Sequence, residues 1–464
     1  MLFRPLVTPF LVFASLLFSS IILSAAEARK PNIVLIFADD LGWKDVGYQG
    51  TDFYETPNID RLAKSGMVFT NAYAGGANCQ PSRACLMSGM YTPRHEVYAV
   101  DSTERGPKDK MRMTPVPNKS YLESRFVTIA EALQANGYVT GHFGKWHLSR
   151  DKSTLPQAQG FDVTFDKNNN SGKGITEDPK AVDTLTTAAC EFVDQYRDKP
   201  FFVYLSHHAI HSPHQTTQAS FERFKDKPPG QQHRDPHYAG VLYDLDASVQ
   251  VVLDKIDSLG LADNTVVVFT SDNGGIQQSS QEPLRGSKGC YYEGGIRVPF
   301  IVHWPGTVKP ESVCNVPTVN VDLYPTFLDI AQSEVPEGVE LDGESLVPLL
   351  CGGTSLQRES VFWHFPGYLN AAVNRGRDPV FRTRPTSVIR KGDWKLHLFH
   401  EEWLLDGGRE KIDTNNCVEL YNIKGDIGER NNLAAVDKRK RDELLDDLLD
   451  WFNKTEAKLP TERP

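Results

Sequence analysis

The chain has 464 residues and a formal charge of −10, from 50 Lys and Arg against 60 Asp and Glu. That balance leaves no electrostatic footprint for nucleic acid, and the length is enough for one large domain plus a smaller one. Seven cysteines are too few for a disulfide scaffold to hold a chain of this size.

Residues 1–28 carry Arg4, an apolar run from Leu11 to Leu23 and the small cluster Ser24-Ala25-Ala26-Glu27-Ala28. This is the order of a secretory signal peptide cleaved after Ala26 or Ala28, with an uncleaved anchor as the alternative. No later stretch is long and apolar enough to span a bilayer, so the mature protein is expected to be exported, without stable membrane insertion.

Four apolar, β-rich runs then end in polar clusters. Ile33 to Phe37 runs into Asp39-Asp40, and a helix over Asn58 to Lys64 follows Thr56-Pro57 and stops before Gly66. A second helix from Thr128 to Asn136 ends at Gly137, after which Tyr138-Val139-Thr140 leads to Lys145-Trp146-His147. Asn168 to Gly174 reads as an exposed loop. Phe201 to Leu205 precedes His207, His208 and His211. A helix from Asp235 to Leu259 stops at Gly260, and Val266 to Phe269 precedes Asp272-Asn273. Continuous apolar runs suit strands buried on both faces, which predicts the α/β class: a large mixed, mostly parallel sheet sandwiched by helices. Such sheets bind ligands beyond the carboxyl ends of their strands, so the polar clusters can converge.

Around residue 355 the pattern changes. Short strands near Ser360 to His364, Ser387 to Phe399 and Val418 to Tyr421 precede a helix from about Val436 to Asn453. The expected division is a larger domain over 29–355 and a smaller C-terminal α+β domain over 356–464, an antiparallel sheet plus a terminal helix.

The most specific motif is Cys79-Gln80-Pro81-Ser82-Arg83-Ala84-Cys85-Leu86-Met87-Ser88-Gly89. It resembles the sulfatase signature C-x-P-S-R-x-x-[LM]-x-[ST]-G at every fixed position. Pro81 favours a helical start, which would direct free backbone N–H groups at an anion. The resemblance implies that a formylglycine-generating or equivalent maturation enzyme oxidises Cys79 to the aldehyde formylglycine. It also implies that Asp39, Asp40, Asp272 and Asn273 form the metal site together with the modified Cys79. These hard oxygen donors suit Ca²⁺ better than zinc, with Mg²⁺ the stricter alternative.

The same resemblance assigns the remaining site residues. Lys145 and His147 match a Lys-x-His pair, for sulfate contact and proton acceptance. His211 matches an H-x-P histidine at the ester oxygen; Pro213 and the preceding strand argue against a helical zinc site built on His207 and His211. Lys288 lies in Gly286 to Pro299, which resembles G-x-K-x-x-x-x-E-G-G-x-R-x-P, with Glu293 and Arg297 holding the loop. Arg83 would pair with the diol oxygens and the metal carboxylates. A further polar position of the family falls at Asn170 or Ser171. The other cysteines, Cys85, Cys190, Cys290, Cys314, Cys351 and Cys417, are an even set whose pairing the sequence does not decide.

These readings imply an exported sulfatase acting on sulfate monoesters of a sulfated carbohydrate partner. A formylglycine-dependent phosphonate or phosphate-diester hydrolase and a non-catalytic carbohydrate-binding relative are the alternatives. For the sugar, the expected binding residues are Arg94, His95, Trp363, His364, Arg382 and Arg384, because carbohydrate recognition uses hydrogen-bond forks and flat aromatic surface.

Overall fold

The seven residues of β1 (Asn32–Ala38) are all buried, and they divide their side chains between two apolar cores. Ile33, Leu35 and Phe37 face one, while Val34, Ile36 and Ala38 face the other. A strand apolar on both sides belongs inside a sheet covered by helices. The computed structural model describes residues 1, 2, 29–169 and 172–464; the segment read as a signal peptide, together with Asn170 and Ser171, lies outside the described residues.

The large sheet has β1, β2 (Met67–Phe69), β3 (Val139–Gly144), β4 (Val163–Phe165), β5 (Phe201–Ser206), β6 (Thr265–Ser271), β7 (Phe300–His303) and β8 (Ser312–Cys314). Their spatial order is β8-β2-β7-β6-β1-β5-β3-β4. From β4 to β6 the pairs are parallel, and β7 runs antiparallel to both of its neighbours.

Helices cover both faces. α1 (Pro57–Ser65), α2 (Cys79–Ser88), α3 (Ile129–Ala135), α4 (Val182–Gln195), α5 (Pro236–Ser258) and α6 (Leu323–Ile330) follow in the chain. Leu86 of α2, Leu133 of α3 and Phe327 of α6 enter one core; Leu62 of α1, Leu185 of α4 and Leu242 of α5 enter the other. Their starts are set locally. The Thr128 hydroxyl accepts from Glu131 N while the Glu131 carboxylate accepts from Thr128 N, a capping box that opens α3. Asp235 accepts from the amides of His237 and Tyr238 at the start of α5.

The C-terminal part is an antiparallel sheet of β9 (Ser360–Phe365), β10 (Thr386–Lys391), β11 (Trp394–Phe399) and β12 (Val418–Asn422), backed by α7 (Lys438–Thr455). The region expected as strand from Ser387 to Phe399 is a hairpin, turned at Gly392 with φ +56°. Its core joins Trp363, Val388, Leu396 and Leu445 to Tyr73, Tyr91 and Ile296 of the larger layer, so one apolar core spans both parts. All seven cysteines carry free thiols, and Cys351 is exposed. No described helix is long and apolar enough to cross a membrane.

Candidate active site

The carboxyl ends of β1, β3, β5 and β6 deliver their polar clusters to one place, as parallel strands require. Asp39 and Asp40 follow β1, with Asp40 held at φ +69°. Asp272 follows β6, its amide donating to Ala38 O at 3.1 Å, and Asp272 Oδ1 accepts from Asp40 N at 3.0 Å. The loops after β1 and β6 are therefore stitched together by hydrogen bonds.

Cys79 is the first residue of α2. Its Sγ lies 3.4 Å from Asp39 Oδ1, 3.8 Å from Asp40 Oδ1 and 3.2 Å from Lys288 Nζ. Burial, with Asp272 next, raises the thiol pKa well above the usual cysteine range, so this sulfur is held as a neutral thiol. One turn along the helix, Arg83 is fully buried; its Nη2 donates to Asp272 Oδ2 at 2.8 Å and its Nη1 to Lys145 O at 3.0 Å.

Three cations face three carboxylates. Lys145 Nζ lies 2.7 Å from Asp39 Oδ2, Lys288 Nζ lies 2.5 Å from Asp40 Oδ1, and Arg83 holds Asp272. Burial alone would raise the Asp39 pKa, but Lys145, His211, Arg83 and Lys288 outweigh it and hold this carboxylate well below its usual range. Asp272 is pushed up to about 6 by burial and by Asp39. His147 is lowered to about 3 by burial and the neighbouring Lys145 and Arg83, which keeps it neutral, and its Nδ1 has no hydrogen-bond partner among the described residues. His211 is 40% exposed, with Nε2 at 3.7 Å from Asp40 Oδ2 and Nδ1 at 2.7 Å from Ser212 O.

The donor set fits an oxygen-preferring divalent cation. Ligand atoms of Asp39, Asp40, Cys79 and Asp272 all lie within 4.8 Å of one another and are buried. Asn273 donates its amide to Asp40 Oδ1 at 2.9 Å, and its buried Oδ1 has no partner among the described residues. An orphaned buried oxygen beside three carboxylates is the kind of group that a hard cation satisfies.

The structure thus brings Cys79, Arg83, Lys145, His147, His211, Lys288, Asp39, Asp40, Asp272 and Asn273 together. Most of the expected sugar-binding residues lie elsewhere. Arg94 is committed to Asp342 and Glu340, both at 2.8 Å. His95 is fully buried, its Nδ1 accepting from Val97 N at 3.1 Å. Trp363 points inward from β9 and donates to Ala74 O at 2.8 Å, and His364 is buried against Ser387 and Lys458 O. Arg384 pairs with Asp378 and with Glu401. These five side chains are buried or ion-paired and do not line the cavity beside Cys79. Arg382 stays beside the site: its Nη1 donates to Lys288 O at 3.1 Å.

Sequence reasoning missed part of the cavity lining. A cavity of about 750 Å³ is lined by Asp39, Lys145, His147 and His211, and also by Leu155, Phe165, Asp166, Lys180 and His208. His208 is buried and lies 2.7 Å from Asp166. Their separation of 42 positions left no local signal for that pairing.

Comparison with known proteins gives the same family from both ends of the chain. The family model described as sulfatase matches residues 31–333, and that described as N-sulphoglucosamine sulphohydrolase, C-terminal, matches 287–458. A protein named sulfatase from Formosa agariphila is 32% identical over 96% of this chain and 92% of its own length. Arylsulfatase A of Homo sapiens is 32% identical over 88% of this chain and 84% of its own. The crystal structure of Ps i-CgsB in complex with k-i-k-neocarrahexaose superposes with a TM-score of 0.73, at 28% identity, over 91% of this chain and 93% of that one. With the signature cysteine at a helix start among three carboxylates and three cations, and with these matches along nearly its whole length, the chain belongs to the sulfatase family of sulfuric ester hydrolases.

Proposed function

We propose that this sulfatase is exported and hydrolyses sulfate monoesters of a sulfated carbohydrate, using formylglycine made from Cys79 by a maturation enzyme, and Ca²⁺. The observation that carries the reading is the position of Cys79, at the start of α2 and within 3.4 Å of both Asp39 and Lys288. A neutral buried thiol is a poor nucleophile, which favours an oxygen group at this position. As the aldehyde hydrate, formylglycine supplies one hydroxyl for attack on sulfur and a second whose collapse expels sulfate. Asp39, Asp40, Asp272 and Asn273 would hold Ca²⁺, whose charge would polarise a sulfate oxygen.

The chain's own groups do the rest. Lys145 and Lys288 neutralise the sulfate oxygens as charge shifts onto the leaving oxygen, and Arg83 fixes Asp272 and the first turn of α2. His211, at the cavity mouth, protonates the departing sugar oxygen. His147, kept neutral, accepts the proton released when the hydrate collapses. A sugar substrate is supported by the size of the cavity and by the oligosaccharide bound in the related Ps i-CgsB structure. Arg382, beside Lys288, is placed to meet an anionic neighbour on the glycan.

The test is turnover of protein produced with a maturation system. Peptide mass spectrometry should find aldehyde at residue 79, and sulfate should be released from sulfated sugars faster than alcohol from matched phosphate diesters. Cys79→Ala should abolish both. Faster diester cleavage would instead favour the phosphate-diester reading.

A further inference from the structure

Part of the cavity lining differs in character from the charged groups around Cys79. Leu155 and Phe165 are large apolar side chains, yet they are 40% and 38% exposed and both line the cavity. An exposed aromatic ring in a cleft offers a flat apolar platform of the kind that the C–H face of a pyranose covers. Trp363 was expected to supply such a surface and does not, because it is buried in the shared core.

Beside that platform stands a carboxylate. Asp166 lines the cavity with its side chain 53% exposed, and its Oδ1 is 2.7 Å from Nε2 of His208, whose side chain is 8% exposed. His208 lies three residues before His211, so the group that orients Asp166 belongs to the loop that carries the proposed proton donor. A carboxylate has about four acceptor positions. His208 occupies one. Lys180 lines the same cavity, and Asp39 and Asp40 act on its charge as well as Lys145.

These groups make opposite demands on two substituents of a sugar ring. A hydroxyl brings a proton that Asp166 can accept. A sulfate ester brings none, carries a negative charge, and would set its oxygens against the carboxylate. We propose that Asp166, oriented by His208, reads an unsubstituted hydroxyl of the sulfated ring that lies on Phe165, and rejects a second sulfate at that position. The inference rests on the sulfated-carbohydrate reading above and narrows it to rings that keep a free hydroxyl toward Asp166.

The experiment uses the mature enzyme with a small aryl sulfate, a panel of monosulfated hexoses and N-acetylhexosamines, and their disulfated counterparts. For an accepted monosulfated sugar, at least one disulfated counterpart should show a kcat/KM lower by about tenfold or more. Asp166→Asn should shrink that preference by about tenfold and lower the ratio of sugar to aryl-sulfate kcat/KM. Asp166→Ser serves as a second variant, and thermal melting checks the fold of each. Equal use of every mono- and disulfated pair by the wild type, an unchanged preference in both variants, or turnover of aryl sulfate with no monosulfated sugar would overturn the proposal. Failure to release sulfate even from the aryl ester would sink the sulfatase mechanism itself, a result distinct from these.

Discussion

His147 and His211 border one reaction centre but meet different environments, and this divides their chemistry. His147 is part-buried beside Lys145 and Arg83, and this burial and these cations hold its imidazole neutral at working pH with a ring nitrogen open to accept a proton. His211 is 40% exposed, with Nδ1 turned to Ser212 O and Nε2 toward Asp40. His211→Ala should therefore cost about 10²- to 10⁴-fold on sugar sulfates, whose alkoxide must be protonated, and much less on aryl sulfates. His147→Ala should give a burst followed by accumulation of sulfated enzyme, read by rapid-quench mass spectrometry. Equal dependence on leaving-group acidity in both variants would contradict this division. At the metal, Asp272→Ala should weaken Ca²⁺ binding more than Asn273→Ala, because it removes a formal charge as well as a ligand; calorimetric titration distinguishes them.

Between elements, the loops after β1 and β6 are clasped by one buried carboxylate. Asp45 Oδ2 accepts from Gly42 N at 2.9 Å and from the Tyr238 hydroxyl of α5 at 2.5 Å, while Oδ1 accepts from Ser279 Oγ at 2.5 Å and Gln281 Nε2 at 2.8 Å. Gln281 in turn accepts from Lys44 N at 3.0 Å and fills the space where Gly42 and Gly275 lack a Cβ. Hydrogen bonds to a buried charge are worth roughly 1.5–3 kcal/mol each, so this clasp holds the Asp39-Asp40 and Asp272-Asn273 turns at a fixed separation. Asp45→Asn sets an NH₂ group against two donors. It should weaken Ca²⁺ affinity by about tenfold or more, with activity recovered at excess Ca²⁺. Activity lost without recovery, at unchanged affinity, would show that the clasp serves folding only. A lone aspartate in a turn carries no sign of this role, since its partners Ser279 and Gln281 are more than 230 residues away.

At the scale of the whole molecule, the two parts are joined by apolar packing and by a buried ionic cluster. Lys395 of β11 is fully buried, with Nζ at 2.9 Å from Glu293 Oε1 and 3.0 Å from Glu429 Oε1. Glu293 also takes Arg297 Nε at 2.7 Å, in the segment whose earlier residue Lys288 reaches Cys79. The C-terminal sheet therefore supports the loop that supplies a site cation. Removing one partner leaves buried charge uncompensated, so Lys395→Met should lower unfolding free energy by about 3–5 kcal/mol in denaturant titration. An effect below about 1 kcal/mol would mean that the cluster is dispensable. Ca²⁺ at 100 times its Kd should add about 2.7 kcal/mol of stability, seen as a rise in Tm that chelation reverses. A rise produced by zinc and not by Ca²⁺ would contradict the oxygen-donor reading.

Local signals were enough for a large part of this protein. The apolar runs that became β1, β3, β5 and β6, the Thr128 and Asp235 caps, and the polar residues at strand ends are written within a few positions of one another, and parallel-sheet geometry then obliges the strand ends to meet. The Cys79 motif is equally local, because a helix start and the residue at its first position need only adjacent residues. What tertiary structure alone decided was which polar side chains remained available. Arg94 and Arg384 could not be told from free arginines until Asp342, Glu340, Asp378 and Glu401 folded against them. Trp363 could not be told from an exposed platform until β9 chose its inward face. Asp166 became a reading group only when the chain brought His208 to it. Burial and pairing are set by neighbours distant in sequence, so composition and spacing name the reacting groups before they name the groups that recognise the substrate.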